Sequence, residues 1–356
     1  MTRTQKVRPL LEIRNLQIAY GTKGIFRRQE PTPAVWDASF TLAEGETLAL
    51  VGESGSGKTT IARAIAGLMV PRQGQILFED EDITLPVERR SRELHRQIQY
   101  VFQNPDSSLN PRRKITYNLG RPLEIFFGLS GAEKKQRMEQ LLDSVHLDTD
   151  YMYRFPSQLS GGEVQRVAIA QALAAEPKLI LCDEIISALD VSVQANILDL
   201  LRELQAERGI AYLFIAHDLA VVRWLAHRVI VLYQGRIMET GTAEEIFSPP
   251  FHPYTEMLLE SVPETDPNRS FLTQTESEPE HLNVESEVGC PFAPRCPHRI
   301  ESVCDQEMPA WQEISPAHSV WCHVPVTELA QKPRLWPKKV HDCEACLSGQ
   351  ASKEQR

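Results

Sequence analysis

One short stretch constrains this chain more than any other part of its sequence: Gly52-Glu53-Ser54-Gly55-Ser56-Gly57-Lys58-Thr59. It fits the phosphate-binding pattern G-x-x-x-x-G-K-[ST] without a mismatch. The pattern is informative only between a strand and a helix, and both flanks meet that condition. Residues 47–51 are predicted as a strand and residues 59–68 as a helix. A chance glycine-rich turn is the alternative, and these flanks argue against it.

The residue types of this stretch suit a triphosphate. Glycines let the backbone come close to phosphates and adopt φ angles that other residues resist. Backbone N–H groups and a helix N-terminus attract negative charge, while the Lys58 amine can meet the β/γ-phosphates. The Thr59 hydroxyl is a candidate ligand of Mg²⁺. The predicted nucleotide contacts are Gly52, Glu53, Ser54, Gly55, Ser56, Gly57, Lys58, Thr59 and Thr60.

Length and composition limit the remaining possibilities. A chain of 356 residues suits one large domain with a smaller appendage. The net charge of −10 argues against nucleic acid as the main ligand. No run approaches the roughly 20 apolar residues that cross a bilayer, and the N-terminal stretch lacks the apolar segment of a secretory signal. We therefore expect a cytosolic protein that reaches any membrane through a partner.

Strand and helix patterns alternate along most of the chain, which indicates a mostly parallel α/β sheet. Residues 104–175 are mostly helical in pattern, and Ser130 is a candidate cap for a helix there. The segment 263–288, rich in Pro, Glu, Ser and Thr, is predicted to be a linker. Further strands are predicted at 10–20, 35–42, 178–182, 212–216 and 228–233, and another helix at 194–207.

Two acidic residues follow the apolar run at 178–182. Asp183 and Glu184 are therefore expected at the carboxyl edge of the sheet, where ligands bind in open α/β sheets. Asp183 is the candidate anchor for Mg²⁺, and Glu184 is the candidate general base for an attacking water. Acid pairs also begin solvated loops, and the pair alone leaves that alternative open.

A second motif, Leu159-Ser160-Gly161-Gly162-Glu163, narrows the class of protein. Its S-x-x-E spacing is typical of a capping box at a helix start, where the positive dipole end suits a γ-phosphate. The motif resembles the signature of the ATP-binding cassette (ABC) superfamily. That resemblance implies a phosphate-loop NTPase fold with a RecA-like core, an antiparallel β subdomain and a helical subdomain. It also implies that ATP is bound between two subunits, each offering its signature to the other's nucleotide.

The resemblance assigns roles outside these two motifs. Gln103 would contact Mg²⁺ and water and link the core to the helical subdomain, and His217 would contact the γ-phosphate. Asp190 would lie in the loop that crosses the dimer interface, and Tyr20 would stack on adenine. A histidine or tyrosine at a strand end is otherwise usually structural. The implied catalytic residues are Glu184, His217 and Gln103, and the signature contacts are Ser160, Gly161 and Gly162.

Two departures from the family pattern stand near this predicted site. Glu163 occupies a position where glutamine is usual, which places an extra negative charge near a phosphate. Ile185 and Ile186 follow Glu184 where Pro-Thr is usual. Because neither change removes a catalytic group, we expect a working ATPase with an altered rate.

Three longer segments, at residues 101–112, 187–201 and 235–264, resemble the ATP-binding subunits of oligopeptide, dipeptide and nickel importers. This resemblance implies a second ATPase subunit, two membrane permeases and a solute-binding protein, with the chain at the cytoplasmic face of the membrane. A soluble ABC ATPase acting on nucleic acid or ribosomes is the alternative. Such proteins usually carry two cassettes or long insertions, whereas this chain has one compact cassette.

Six of the seven cysteines follow residue 289. Four of them have the spacing C-x5-C-x7-C-x17-C, and the importer resemblance implies a [4Fe–4S] cluster. Zinc and unliganded thiols are the alternatives. Cys343 and Cys346 form a separate C-x2-C in a tail expected to be disordered. The expected organisation is an ATPase domain at 1–262, a linker, a Cys-rich region at 289–325 and a tail at 326–356. The four cysteines are Cys290, Cys296, Cys304 and Cys322.

Overall fold

The computed structural model describes residues 8–21, 32–104, 108–261 and 288–332. The chain divides into two compact units, residues 1–238 and 239–356. Apart from residue 288, the predicted linker lies outside the described residues, as do Cys343 and Cys346. No helix in the described ranges is long and apolar enough to cross a membrane.

The first unit contains an antiparallel and a parallel sheet. Its described strands are β1 (Leu11–Tyr20), β2 (Thr32–Leu42), β3 (Thr47–Val51), β4 (Gln73–Phe78), β5 (Glu81–Asp82), β6 (Ile98–Val101), β7 (Leu179–Asp183), β8 (Ala211–Ile215) and β9 (Arg228–Tyr233). The antiparallel sheet has the order β2-β1-β4-β5. The parallel sheet runs β9-β3-β8-β7-β6, so the predicted α/β class is confirmed.

Burial explains the sequence patterns of these strands. Every residue of β3, β7 and β8 is buried, which accounts for their nearly continuous apolar sequences. In β1 the pairing shifts register around Asn15, whose φ is 47°. This irregularity moves the alternation by one residue. As a result, Ile13 before it and Leu16 after it both pack into the same core.

The helices of the first unit follow the strands in α/β order. They are α1 (Lys58–Ile65), α2 (Arg92–Gln97), α3 (Ile115–Phe127), α4 (Gly131–Asp143), α5 (Gly161–Leu173), α6 (Val191–Arg208) and α7 (Leu219–Leu225). Helices α3, α4 and α5 pack against one another in the region predicted to be helical.

Two details of these helices differ from the sequence predictions. Ser130 occupies the N-cap position of α4, but its side chain makes no capping hydrogen bond, so the predicted cap is wrong in that respect. Helix α1 ends at Ile65, earlier than predicted, because Gly67 with φ 76° reverses the chain after the helix.

The second unit begins within strand β10 (Arg236–Thr242). A buried carboxylate, that of Glu239, joins three of its segments. It accepts hydrogen bonds from the His252 backbone N–H (2.9 Å) and the Thr255 hydroxyl, and it lies 2.7 Å from His318 Nε2. The other described helices and strands of the second unit are α8 (Ala243–Ile246), α9 (Pro253–Glu260), α10 (Val303–Gln306), β11 (Trp311–Ser315), β12 (His318–Trp321) and α11 (Val326–Leu329).

Candidate functional site

The phosphate-binding stretch forms the loop between β3 and α1, as predicted. Gly52 has φ 146° and Gly57 has φ 104°, both in the region that favours glycine. A Cβ atom at Gly52 would lie 2.1 Å from the Leu232 carbonyl oxygen. One at Gly57 would lie 2.8 Å from the Ala34 carbonyl oxygen. Both positions therefore require glycine for conformation and for space.

The Lys58 amine lies inside this loop. It donates hydrogen bonds to the carbonyl oxygens of Gly52 (2.7 Å) and Glu53 (2.8 Å), and it lies 3.3 Å from Ser56 Oγ. Burial lowers the pKa of Lys58, and the nearby carboxylates oppose this shift. The loop thus holds a cation at its inner surface, which is the charge that β- and γ-phosphates need.

Two of the three predicted magnesium contacts, Thr59 and Asp183, meet across 124 residues of sequence. Thr59 Oγ1 donates to Asp183 Oδ1 at 2.8 Å. The second carboxylate oxygen, Oδ2, accepts from the Tyr100 hydroxyl at 2.6 Å. Hydroxyl and carboxylate oxygens are the hard ligands that Mg²⁺ prefers, so this donor set fits the ion.

Tyr100 is a site residue that the sequence analysis missed. Burial and the hydrogen bond to Asp183 raise the pKa of the Tyr100 hydroxyl, which stays protonated as a donor. The available signal was its place on the strand three residues before Gln103. Register decides the contact, because Tyr100 on β6 pairs with Leu181 on β7.

The three predicted catalytic residues lie together at the carboxyl edge of the parallel sheet. Gln103 Nε2 donates to Glu184 Oε2 at 2.8 Å, and His217 Nδ1 lies 3.9 Å from the same oxygen. Glu184 has φ 49°, and its N–H donates to the Ile215 carbonyl at 3.1 Å. Its carboxylate is therefore fixed directly after β7, within reach of both neighbours.

The signature stretch forms the predicted capping box at the start of α5. Ser160 Oγ accepts from the Glu163 N–H at 3.4 Å, and Glu163 Oε2 accepts from the Ser160 N–H at 2.7 Å. The Tyr151 hydroxyl donates to the other carboxylate oxygen. These bonds, first that from Tyr151, lower the pKa of Glu163. The Arg154 guanidinium lies 3.9 Å from the Tyr151 ring centroid.

The remaining predicted residues lie at element ends. The Tyr20 hydroxyl shares a 2.7 Å hydrogen bond with Thr60 Oγ1, and 45% of the tyrosine side chain is exposed. Asp190 caps α6 by accepting from the Val193 N–H, and its bond from the Ser192 hydroxyl lowers its pKa most. Ile185 and Ile186, the unusual pair, are both buried.

The four cysteines of the second unit are free thiols, with Cys296 the least buried. Burial raises the pKa of Cys290 to about 11 and that of Cys322 to about 12, and neighbouring thiols contribute to both shifts. Within the part of the chain that the structure describes, no three His, Cys, Asp or Glu side chains are arranged to hold one metal ion.

The parallel sheet, the loop between β3 and α1 and the Thr59–Asp183 contact define a phosphate-loop NTPase. The family described as ABC transporter matches residues 35–187, and the oligopeptide/dipeptide transporter C-terminal region matches residues 238–304. The chain belongs to the ABC transporter family and is one of its ATP-binding proteins.

Two curated relatives align with this chain over most of the length of both proteins. The probable peptide ABC transporter ATP-binding protein y4tS of Sinorhizobium fredii is 44% identical over 88% of this chain and 90% of the relative. The oligopeptide transport ATP-binding protein OppF of Haemophilus influenzae is 40% identical over 90% of this chain and 99% of the relative.

Solved structures agree with the fold of the ATPase part. The chain of cbiO1 from Clostridium perfringens, part of the ABC transporter complex cbiONQ, superposes with a TM-score of 0.58 and 28% identity. The match covers 67% of this chain and 90% of the cbiO1 chain. The ATP-binding cassette MJ0796, solved as a dimer in a post-hydrolysis state with ADP and Pi, superposes with a TM-score of 0.57 and 29% sequence identity. That match covers 66% of this chain and 99% of the other.

Proposed function

We propose that this chain is the ATP-hydrolysing subunit of a membrane importer for dipeptides or oligopeptides. The hydrogen bond between Thr59 and Asp183 carries the proposal, since it joins the phosphate loop to the strand-end carboxylate beside Glu184. The printed names of the relatives, peptide transporter and oligopeptide transport ATP-binding proteins, support the class of solute.

The phosphate loop binds and orients the nucleotide in this proposal. The Lys58 amine and the loop N–H groups hold the β- and γ-phosphates of ATP. Thr59 and Asp183 would hold Mg²⁺, which when bound would offset the charge that develops on the transferred phosphoryl group. Tyr100 keeps the Asp183 carboxylate in place by occupying its second oxygen.

The hydrolytic step depends on the residues around Glu184. The Glu184 carboxylate accepts the proton of the attacking water as a general base. Gln103, at 2.8 Å, orients that carboxylate and contacts the same water and Mg²⁺. His217, whose Nδ1 lies 3.9 Å from the same oxygen, contacts the γ-phosphate. The spent ADP and phosphate leave when the two subunits separate.

A second ATPase subunit, identical or homologous, completes each site with its signature residues Ser160, Gly161 and Gly162 and its Asp190 loop. The dimeric cassette bound to ADP and Pi supports this arrangement. Closure of the dimer moves the helical subdomains, and Gln103 passes the movement to two permease subunits. A solute-binding protein delivers the peptide, and the chain acts at the cytoplasmic face of the membrane.

Two measurements test this function. The purified chain should hydrolyse ATP only with Mg²⁺, with a rate that rises more than linearly with protein concentration because two subunits form each site. Affinity purification from membranes should recover two integral permeases. ATPase activity stimulated by nucleic acid or ribosomes, without permeases, would instead favour the soluble alternative and contradict the transport proposal.

We further propose that the four cysteines hold a [4Fe–4S] cluster. Two observations support this proposal: all of these thiols except that of Cys296 are buried, and the Cys290 N–H donates to the Cys304 carbonyl at 2.7 Å, which brings two of the four positions together. Anaerobically purified protein should contain about four iron atoms per chain and absorb near 400 nm. Changing Cys290 to Ser should abolish both signals, whereas an iron-free wild-type protein would contradict the cluster.

A further inference from the structure

We propose that Tyr151 is a positioning residue for the signature. Its hydroxyl holds Glu163 so that the capped start of α5 is presented in one orientation to the nucleotide of a second subunit. The inference rests on the proposed function, which supplies the role of the signature. It explains why an acidic residue is compatible with this position.

Both oxygens of the Glu163 carboxylate are used. Oε2 accepts from the Ser160 backbone N–H at 2.7 Å, and Oε1 accepts from the Tyr151 hydroxyl. A glutamine has only one acceptor oxygen, so with that oxygen on the Ser160 N–H it presents an NH₂ donor, and not an acceptor, to the Tyr151 hydroxyl. The carboxylate therefore makes a connection from Tyr151 to Ser160 that the usual residue of the family cannot make in the same way.

The surroundings also compensate the extra negative charge. Two donors bond the Glu163 carboxylate, and the helix dipole at the start of α5 favours an anion there. The Arg154 guanidinium packs on the Tyr151 ring and contributes a nearby positive charge. The Glu163 carboxylate is thus an ionised group that accepts two hydrogen bonds and stabilises the start of α5.

Tyr151 is itself fixed to the helix that follows Gln103. It lies in the short 3₁₀ turn Thr149–Tyr153. The Thr116 hydroxyl, on α3, donates to the Met152 carbonyl in that turn. The Ile115 N–H, at the start of α3, donates to the Arg154 carbonyl at 2.9 Å. A displacement of α3 is therefore transmitted through the turn to Tyr151 and then to the signature.

Tyr151→Phe removes the hydroxyl and keeps the ring under Arg154. In the Glu184→Gln background, where ATP is held without rapid turnover, ATP-dependent dimerisation measured by analytical ultracentrifugation should weaken about tenfold. That factor corresponds to about 1.4 kcal/mol. Binding of a fluorescent ATP analogue to the monomer should change less than twofold. Tyr153→Phe, in the same turn and 59% exposed, is the matched control and should dimerise normally.

A double-mutant cycle tests whether the hydroxyl acts through the carboxylate. In a Glu163→Gln background, Tyr151→Phe should weaken dimerisation by less than about threefold. An equal effect in both backgrounds, or no effect in the original one, would overturn the proposal. If the Tyr151→Phe variant has a lower melting temperature than the parent protein, Glu163→Ala serves as a second variant, because it removes the Tyr151–Glu163 hydrogen bond by deleting the acceptor. It must then weaken dimerisation at least as much.

Steady-state kinetics separate this inference from the proposed function. The kcat at saturating protein should stay within about threefold for Tyr151→Phe, while the protein concentration giving half-maximal rate rises about tenfold. A wild-type chain that neither dimerises with ATP nor hydrolyses it, by itself or with a homologous ATPase subunit, would refute the proposed function. A fully active wild type with an unchanged Tyr151→Phe variant would refute the role of Tyr151 alone.

Discussion

The phosphate loop and the signature both suit phosphate, but they are built in opposite ways. The loop is fixed by distant parts of the chain, as in the contact from Thr59 to Asp183, and Lys58 is buried within it. The signature is held by hydrogen bonds between groups close in sequence, chiefly those of Tyr151 and Glu163, and Ser160 and Gly161 are both exposed. One half-site is therefore completed by the fold, whereas the other is prepared for a second subunit. Mutations should separate the two.

The largest effect is expected at Glu184. Glu184→Gln removes the proposed base but keeps an oxygen that can accept from Gln103, so ATP hydrolysis should fall at least about 100-fold. ATP binding and ATP-dependent dimerisation should persist, because both half-sites stay intact. Phosphate release and dimer assays on the same preparation check this. Hydrolysis above a tenth of the wild-type rate would exclude Glu184 as the base.

The next effect concerns the signature alone. A Cβ atom at Gly162 would lie 2.6 Å from Val193 Cγ1, which forces α5 away from the start of α6. Gly162→Ala should weaken ATP-dependent dimerisation by about tenfold or more and leave monomer ATP binding unchanged. At Gly161 the nearest contact, 3.4 Å to Leu189, is ordinary, so Gly161→Ala is the control and should have a smaller effect. Equal effects of the two variants would contradict this geometry.

A moderate effect is expected at the magnesium end of the phosphate loop. Tyr100→Phe removes the hydrogen bond to Asp183 and leaves a buried carboxylate oxygen without that donor. Because the carboxylate is then less well held, the Mg²⁺ concentration for half-maximal ATPase activity should rise about three- to tenfold, while the dimerisation constant measured in the Glu184→Gln background stays within about twofold. If only the Mg²⁺ dependence of ATPase activity changes, Tyr100 acts in the phosphate-loop half-site. A change confined to dimerisation would place Tyr100 in the other half.

The smallest effect is expected at Tyr20. Tyr20→Phe loses the bond to the Thr60 hydroxyl but keeps the exposed ring, so ATP affinity should change less than about threefold. Tyr20→Ala removes the ring as well and should weaken ATP binding by about tenfold. Titration with a fluorescent ATP analogue measures both variants. If the two variants are equal, the ring does not stack on the base.

Local patterns predicted the parts of this molecule that depend on local rules. The strands Thr47–Val51 and Arg228–Tyr233 have the predicted bounds, and the capping box of Ser160 and Glu163 is present. Each of these depends on a run of neighbouring residues. The side-chain cap expected of Ser130 is absent, since a residue type suited to capping does not fix its side-chain orientation.

The residues that the sequence analysis missed depend on tertiary contacts. Tyr100 reaches Asp183 because of the parallel register of β6 and β7, which no local pattern determines. Tyr151 reaches Glu163 because a short turn returns the chain to the start of α5. In both pairs the acidic residue was identified from its motif, while its hydroxyl donor was not. The motif predicts the functional group, and the fold supplies the partner that orients it.

The buried carboxylate of Glu239 bears on whether the second unit needs an unbroken chain to stay together. Its partners come from both sides of residues 262–287, with Thr255 before that segment and His318 after it. Strands β10 and β12, which also lie on opposite sides of that segment in the sequence, pair with each other. A protease cut within the segment would therefore yield two fragments that remain one particle on a native gel and separate only in denaturant. The unit would behave as a split protein whose halves recognise each other without a peptide bond.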